Sequence, residues 1–249
     1  MKHGICNLSI VPLRAEASDR SEMVSQLLYG ETFKILDHRK KWSRIKLHFD
    51  KYEGWIDNKQ FTGISKDDYN KLNDQPNQLL SDLVNFLTTE REELNLITIG
   101  SNVAAAKYLG HTFEGNKVES LMPKSAIVET ALLFLNTPYL WGGKSPFGID
   151  CSGFTQLVYK LCGYQLLRDA SDQATQGEAL SFIEESEPGD LVFFDNSDGD
   201  IIHVGIIMAD HYIIHAHGKV RIDRLDHTGI FNQERRTHTH KLRVIKRIV

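Results

Sequence analysis

The chain has 249 residues, 41% hydrophobic and 25% charged, which is enough apolar material for a packed core without disulfide or metal support. Its 29 basic and 33 acidic residues give a formal charge of -4, so no basic excess exists to neutralise phosphates and a nucleic-acid partner is not expected. No apolar run approaches the ~20 residues of a membrane span, and the three cysteines Cys6, Cys151 and Cys162 are too few for a disulfide framework.

The first apolar stretch, residues 5–13, is interrupted by Asn7, Ser9 and Pro12 and followed by Arg14, unlike the core of a secretory leader. Its alternation predicts a strand, and a cytoplasmic location is expected. Further short alternating segments follow at 24–30, 32–36, 42–47 and 52–56, the first of them ending in Gly30. Short strands at this spacing predict a small barrel over residues 1–62. Residues 63–122 form a connecting region that either extends the barrel or bridges to the next domain. In it the pattern predicts helices at 67–72 and 81–87 and a strand at 94–99.

From residue 123 to 249 the pattern changes. Ser125 is a candidate helix cap, with Val128, Ala131, Leu132 and Leu135 at helical spacing, and Asn136-Thr137-Pro138 ends that helix. After the loop Tyr139-Leu140-Trp141-Gly142-Gly143, a second helix opens at Cys151, carries Phe154, Leu157, Val158 and Leu161 on one face, and stops at Gly163. Strands are predicted at 191–194, 201–208, 212–216, 220–225 and 242–248. Helices followed by an antiparallel sheet make an α+β domain.

Cys151 sits where a helix begins, and the free N–H groups there favour a thiolate. Position alone leaves two readings open, a nucleophile or a buried structural cysteine. Cys162, at the other end of the same helix, receives no role. A cysteine nucleophile needs a base. His203 interrupts the apolar strand Ile201-Ile202-His203-Val204-Gly205-Ile206-Ile207, and His215 interrupts the next. A polar ring in such a strand must have a partner, structural or catalytic. An odd loop such as Ala209-Asp210-His211 puts both rings on one face, whereas a two-residue turn separates them. Sharing a face, His203 can act as base and His215 can orient it. His211, His215 and His217 lie close together, but no HExxH or paired CxxC occurs and no metal or other cofactor is expected. His238-Thr239-His240 reads as a solvated turn.

These residues carry a family resemblance. Asp150-Cys151-Ser152-Gly153-Phe154, His203-Val204-Gly205-Ile206 and Ile214-His215-Ala216 resemble the three motifs of NlpC/P60 cysteine peptidases. Tyr139-Leu140-Trp141-Gly142-Gly143 and Pro188-Gly189-Asp190-Leu191-Val192-Phe193-Phe194 match as well, five ordered motifs in all. The N-terminal segment, with "LLYGE", "W-S-R-I" and "Y-E-G-W-I", resembles a bacterial SH3-like module. The resemblance implies a small SH3-like barrel followed by a papain-like catalytic domain, with Cys151 as nucleophile, His203 as base, His215 orienting it and Tyr139 assisting the oxyanion.

The pairing of the two modules is similar to γ-D-glutamyl-L-diamino acid endopeptidases, which cut free murein peptides bearing an unblocked N-terminal L-alanine before diaminopimelate or lysine. On that resemblance Asp150, Ser152, Asp169 and Ser171 contact substrate, and Tyr52 and Glu22 of the SH3-like module join Asp169 around the amine. A buried ammonium needs such pairing. The implied partner is a small peptide, with no membrane and a monomeric enzyme. The rival functions are an exported endopeptidase trimming intact peptidoglycan and a non-catalytic cell-wall-binding protein.

Overall fold

A computed structural model describes residues 2–249. The chain divides into two compact units, Met1–Ser120 with Trp141–Pro146, and Leu121–Leu140 with Phe147–Val249. The first unit therefore takes in the stretch after residue 62 and a short strap from the middle of the chain.

The first unit is built on a seven-stranded antiparallel sheet of β1 (His3–Ile5), β2 (Ile10–Arg14), β3 (Met23–Leu28), β4 (Thr32–His38), β5 (Trp42–Leu47), β6 (Glu53–Asp57) and β7 (Thr62–Ile64), in the order β3-β2-β6-β5-β4-β1-β7. Period-two alternation turns Val11 and Leu13 of β2, Ile45 and Leu47 of β5 and Ile56 of β6 inward. They join Cys6, Leu27 and Phe33 in one core. At Gly54 a β-carbon would lie 2.6 Å from Leu13 Cγ, so the close approach of β6 to its neighbour β2 requires glycine.

Residues beyond 62 extend this unit. β7 pairs with β1, and helix α1 (Lys66–Asp74), capped by the Ser65 hydroxyl accepting from the Asp68 N–H, packs its buried Tyr69 with Ile5, Ile64 and Ala105. The helix expected at 81–87 is not formed. Val84–Thr89 is instead a strand, paired with Leu94–Thr98 and with His111–Thr112. Its Leu87 enters a cluster with Tyr29, Leu80 and Ile97, a tertiary demand that overrides local helical preference.

The second unit has three helices, α2 (Ala126–Leu132), α3 (Cys151–Leu161) and α4 (Ala170–Gln173). α2 buries Ala126, Ile127, Thr130 and Ala131, and leaves Leu132 and Leu135 exposed, so its inward face is offset from the one expected. Ser125 has helical backbone angles and makes no side-chain cap bond. Every residue of α3 is buried, and Gly163, with φ +88°, ends the helix where expected.

The strands are β8 (Leu191–Asp195), β9 (Ile201–Met208), β10 (Tyr212–His217), β11 (Lys219–Leu225), β12 (Gly229–Asn232) and β13 (Thr237–Arg247). They run β13-β8-β9-β10-β11-β12, and β12 pairs back onto β13, closing six strands into a barrel. The strand Glu178–Leu180 adds to the far end of β13. Val192, Phe194, Ile207, Ile213, Leu225, Ile230 and Ile245 fill the interior. The alternate residues Val204, Ile206, Ile214 and Ala216 are buried on the outer face, where α2 and α3 contact β9. β12 had no counterpart in the expected strands, and its pairing with β13 is what closes the sheet.

Candidate active site

The site begins at the first residue of α3. Asp150 is the helix cap, its Oδ1 accepting from the Gly153 N–H at 2.6 Å. Both its oxygens also accept from Arg168, Nη1 to Oδ1 at 3.0 Å and Nη2 to Oδ2 at 2.6 Å. Arg168 Nη1 donates further to the Ser152 hydroxyl at 2.9 Å. Arg168 is 1% exposed, so a fully buried bidentate pair locks the turn that presents Cys151. Asp150 and Ser152, expected to contact substrate, are engaged by this scaffold. Arg168 was not singled out from the sequence, where a lone arginine after two leucines carries no periodic signal.

The thiol is not lowered by its helix terminus. Burial, and next the Asp150 carboxylate, push it up to about 12, against the opposing pull of the Val204 and Ser152 backbone N–H groups and the Arg168 guanidinium. Val204 follows His203 in β9, so this backbone contact brings the Cys151 sulfur to the strand that carries the expected base. Tyr139 is half-buried, with its N–H bonded to the Gly218 carbonyl at 3.0 Å. Its phenol is raised by burial and by the neighbouring Cys151 and Asp150, which places it in the field of the thiol.

The three-residue connection Ala209–His211 sets Gly205 opposite His215, so His203 and His215 face the same way, into the barrel. At Gly205 a β-carbon would come within 2.9 Å of His215 Cβ, so glycine there leaves room for the imidazole. His203 Nε2 and His215 Nδ1 are 2.8 Å apart. His215 Nε2 is 3.1 Å from Asp223 Oδ2, and Arg221 Nε is 2.7 Å from the same oxygen. Asp223, on β11, escaped the sequence reading. Its clue was an acid at an inward position, two residues before the core residue Leu225.

His240 corrects the expectation of a solvated turn. It lies in β13 and stacks on His203, with ring centroids 4.2 Å apart and an interplanar angle of 23°. Strand register shifts at Phe193/Phe194, Phe194/Asp195 and Ile230/Phe231 distort this end of the barrel, where the histidines collect. Burial lowers His203 well below the ordinary imidazole value, helped by His215, His240 and His217. Burial likewise lowers His215 despite Asp223, and takes His240 down to about 4. The Cys151 thiol and the His203 imidazole are therefore both neutral at rest. Among the described residues no three His, Cys, Asp or Glu side chains are grouped to hold a metal ion.

Asp169 precedes α4, half-buried, and Ser171 is exposed on its first turn. In the other unit, Tyr52 packs partly buried against the barrel core, and Glu22 accepts the Trp141 indole N–H at 2.6 Å.

A cysteine at a buried helix start, a histidine pair and a closed antiparallel sheet define a thiol-hydrolase site of papain-like type. Residues 136–239 match the NlpC/P60 family, and residues 13–61 match the bacterial dipeptidyl-peptidase SH3 domain. The chain therefore joins an NlpC/P60 domain to a bacterial dipeptidyl-peptidase SH3 domain. A Bacillus subtilis protein named gamma-D-glutamyl-L-lysine dipeptidyl-peptidase is 42% identical over 92 residues, 36% of this chain and 31% of that protein. A Bacillus cereus protein of the same name is 27% identical over 230 residues, 80% of this chain and 68% of the relative. The crystal structure of an NlpC/P60 family protein from Bacillus cereus superposes with a TM-score of 0.78, covering 99% of both chains at 19% identity, which shows the shared fold.

Proposed function

We propose that this protein is a cysteine peptidase that hydrolyses the γ-D-glutamyl–L-diamino acid bond of free murein peptides. Its substrates carry an unblocked N-terminal L-alanine, with lysine or diaminopimelate after the scissile bond, and the setting is cytoplasmic recycling of cell-wall peptides. The observation that carries this reading is the hydrogen-bonded pair His203–His215, on a strand whose Val204 N–H reaches the Cys151 sulfur, in a chain that also carries an SH3 domain of the dipeptidyl-peptidase kind. The names of the two Bacillus relatives support the bond chosen.

In this mechanism His203 takes the thiol proton as the Cys151 sulfur attacks the γ-glutamyl carbonyl. The Cys151 N–H and the Tyr139 hydroxyl donate to the oxyanion. Protonated His203 then gives its proton to the departing amine, leaving a thioester. Water, deprotonated by His203, attacks the thioester and restores the thiol. The substrate ammonium needs anionic partners, and Asp169, Glu22 and the Tyr52 phenol are tested singly for that role.

The experiment is incubation with L-Ala-γ-D-Glu-L-Lys and its diaminopimelate counterpart, each free and N-acetylated, beside purified sacculi. Cleavage of the free peptides alone is expected. Equal cleavage of acetylated peptide removes the amine requirement, digestion of sacculi identifies a wall endopeptidase, and cleavage of nothing refutes the assignment.

A further inference from the structure

The histidine pair does not end at His215. We infer that Asp223, held by Arg221, is a positioning residue that selects the tautomer in which His203 can accept the Cys151 proton. The inference rests on the peptidase reading only in taking His203 as the base of Cys151.

The chain of hydrogen bonds dictates where each proton sits. Asp223 is 5% exposed, with Arg221 Nη2 donating to its Oδ1 at 3.0 Å and Asn232 Nδ2 to the same oxygen at 3.4 Å. Burial alone would raise its carboxyl, but His215 and Arg221 more than offset this and hold it below the ordinary value, so it is an acceptor only. His215 Nε2, 3.1 Å away, must then carry a hydrogen. A neutral ring protonated at Nε2 has its lone pair on Nδ1, and that atom is 2.8 Å from His203 Nε2. His203 Nε2 must therefore be the donor, and its Nδ1 is left as the base. The opposite order, with His215 protonated on Nδ1, would make His203 Nε2 an acceptor. His203 Nδ1 would then carry the hydrogen and could not take one from the thiol. Asp223 excludes that order because Nε2 of His215 would present a lone pair to a carboxylate.

The other groups around these rings do not make the selection. His240 stacks on His203 and meets His215 edge-on, His217 lies beside His215 in a stacked arrangement, and neither makes a ring-nitrogen bond to the pair. Glu234 reaches only Arg221, at 3.5 Å.

The test reads tautomers and thiol reactivity without any peptide substrate. In wild-type protein labelled with 15N-histidine, the His215 signal, identified by its loss in His215→Gln, should be that of the Nε2–H tautomer. In Asp223→Asn and Asp223→Ala the His215 signal should move toward the Nδ1–H form. The rate of Cys151 alkylation by iodoacetamide at neutral pH should then fall at least about tenfold, short of the ~10⁴ lost when the carboxylate next to a catalytic histidine is replaced. Asp223→Glu, retaining the acceptor, should recover part of the rate. A wild-type His215 protonated on Nδ1 overturns the inference whether or not the variants fold. So does alkylation within twofold of wild type in folded Asp223→Asn. Failure to cleave the murein peptides, with tautomers and alkylation as stated, refutes the substrate reading and supports this inference.

Discussion

Replacing Arg168 with methionine tests the scaffold under Cys151 most directly. The substitution keeps the side chain's volume but removes two bonds to Asp150, at 3.0 and 2.6 Å, and one to Ser152 at 2.9 Å. It leaves a carboxylate in a buried site without its cation, a change that costs about 3–5 kcal/mol. Asp150→Asn preserves a cap residue but leaves the guanidinium facing a neutral amide, and a loss of a few kcal/mol is expected on the same ground. The double variant carries no stranded charge, so its cost should fall to about 1–2 kcal/mol of lost hydrogen bonds. The expected signature is a coupling energy of at least ~2 kcal/mol between the two sites, read from urea unfolding of the wild type, both singles and the double. Thiol reactivity supplies an independent sign. Arg168→Met should shift the alkylation pH profile of Cys151 upward and Asp150→Asn should shift it downward, since the guanidinium favours the thiolate and the carboxylate opposes it. Additive losses in the cycle, or either single costing less than ~1 kcal/mol, would show that the pair is not the buried lock described.

Cys151→Ala should abolish peptide hydrolysis, whereas Cys162→Ala, which loses only burial and a 3.5 Å contact with Thr130 Oγ1, should retain it with about 1–2 kcal/mol less stability; activity lost in both would deny Cys151 its separate role. Stability should fall on acidification from pH 6.5 towards 4, because His240 is neutral in the fold at about 4 and ionises in the unfolded chain near 6.5. At full value that shift is ~3 kcal/mol, reduced to roughly 1–2 kcal/mol by solvent at the half-buried ring, and His203 and His215 act in the same direction. His240→Gln should flatten the slope in that window, and parallel losses in the two proteins would contradict the assignment. Gly54→Val should destabilise the first unit to urea by a few kcal/mol, since a β-carbon there meets Leu13 at 2.6 Å; an unchanged midpoint would mean that β6 does not approach Leu13 of β2 so closely.

The parts of this molecule that were legible in the sequence are those governed by period and local chemistry. His203 and His215 stood out as polar rings in apolar strands, and the length of the connection between them decided their common face. Cys151 stood out as the first residue of a helical run, and that helix does start there. What escaped was set by partners distant in the chain. Arg168 reaches back to Asp150, and Asp223 is legible only once the register of β10 on β11 is known. His240 read as solvated because β12, the short strand whose Ile230 lies opposite it, carries no alternation of its own. The segment at 84–89 failed for the same reason, its strand character being supplied by the hairpin partner at 94–98.

Closure of the barrel explains why these long-range groups accumulate at one place. Alternation sends Val192, Phe194, Ile207 and Ile213 inward along with His203 and His215, so both rings share the interior with the aliphatic core. Desolvation there makes an imidazolium costly, and burial at the start of α3 makes a thiolate costly as well. The resting site is therefore neutral, and charge separation has to be stabilised at the moment it forms. The Val204 and Ser152 amides and Arg168 favour the sulfur's charge. On the imidazole side the chain of ring hydrogen bonds ends at the Asp223 carboxylate, one ring removed. A proton accepted at His203 Nδ1 produces an imidazolium whose Nε2–H already points at a lone pair on His215, and the His215 Nε2–H already points at a carboxylate. In the proposed mechanism no group has to turn as the charge develops, so a site buried this deeply can still ionise the thiol.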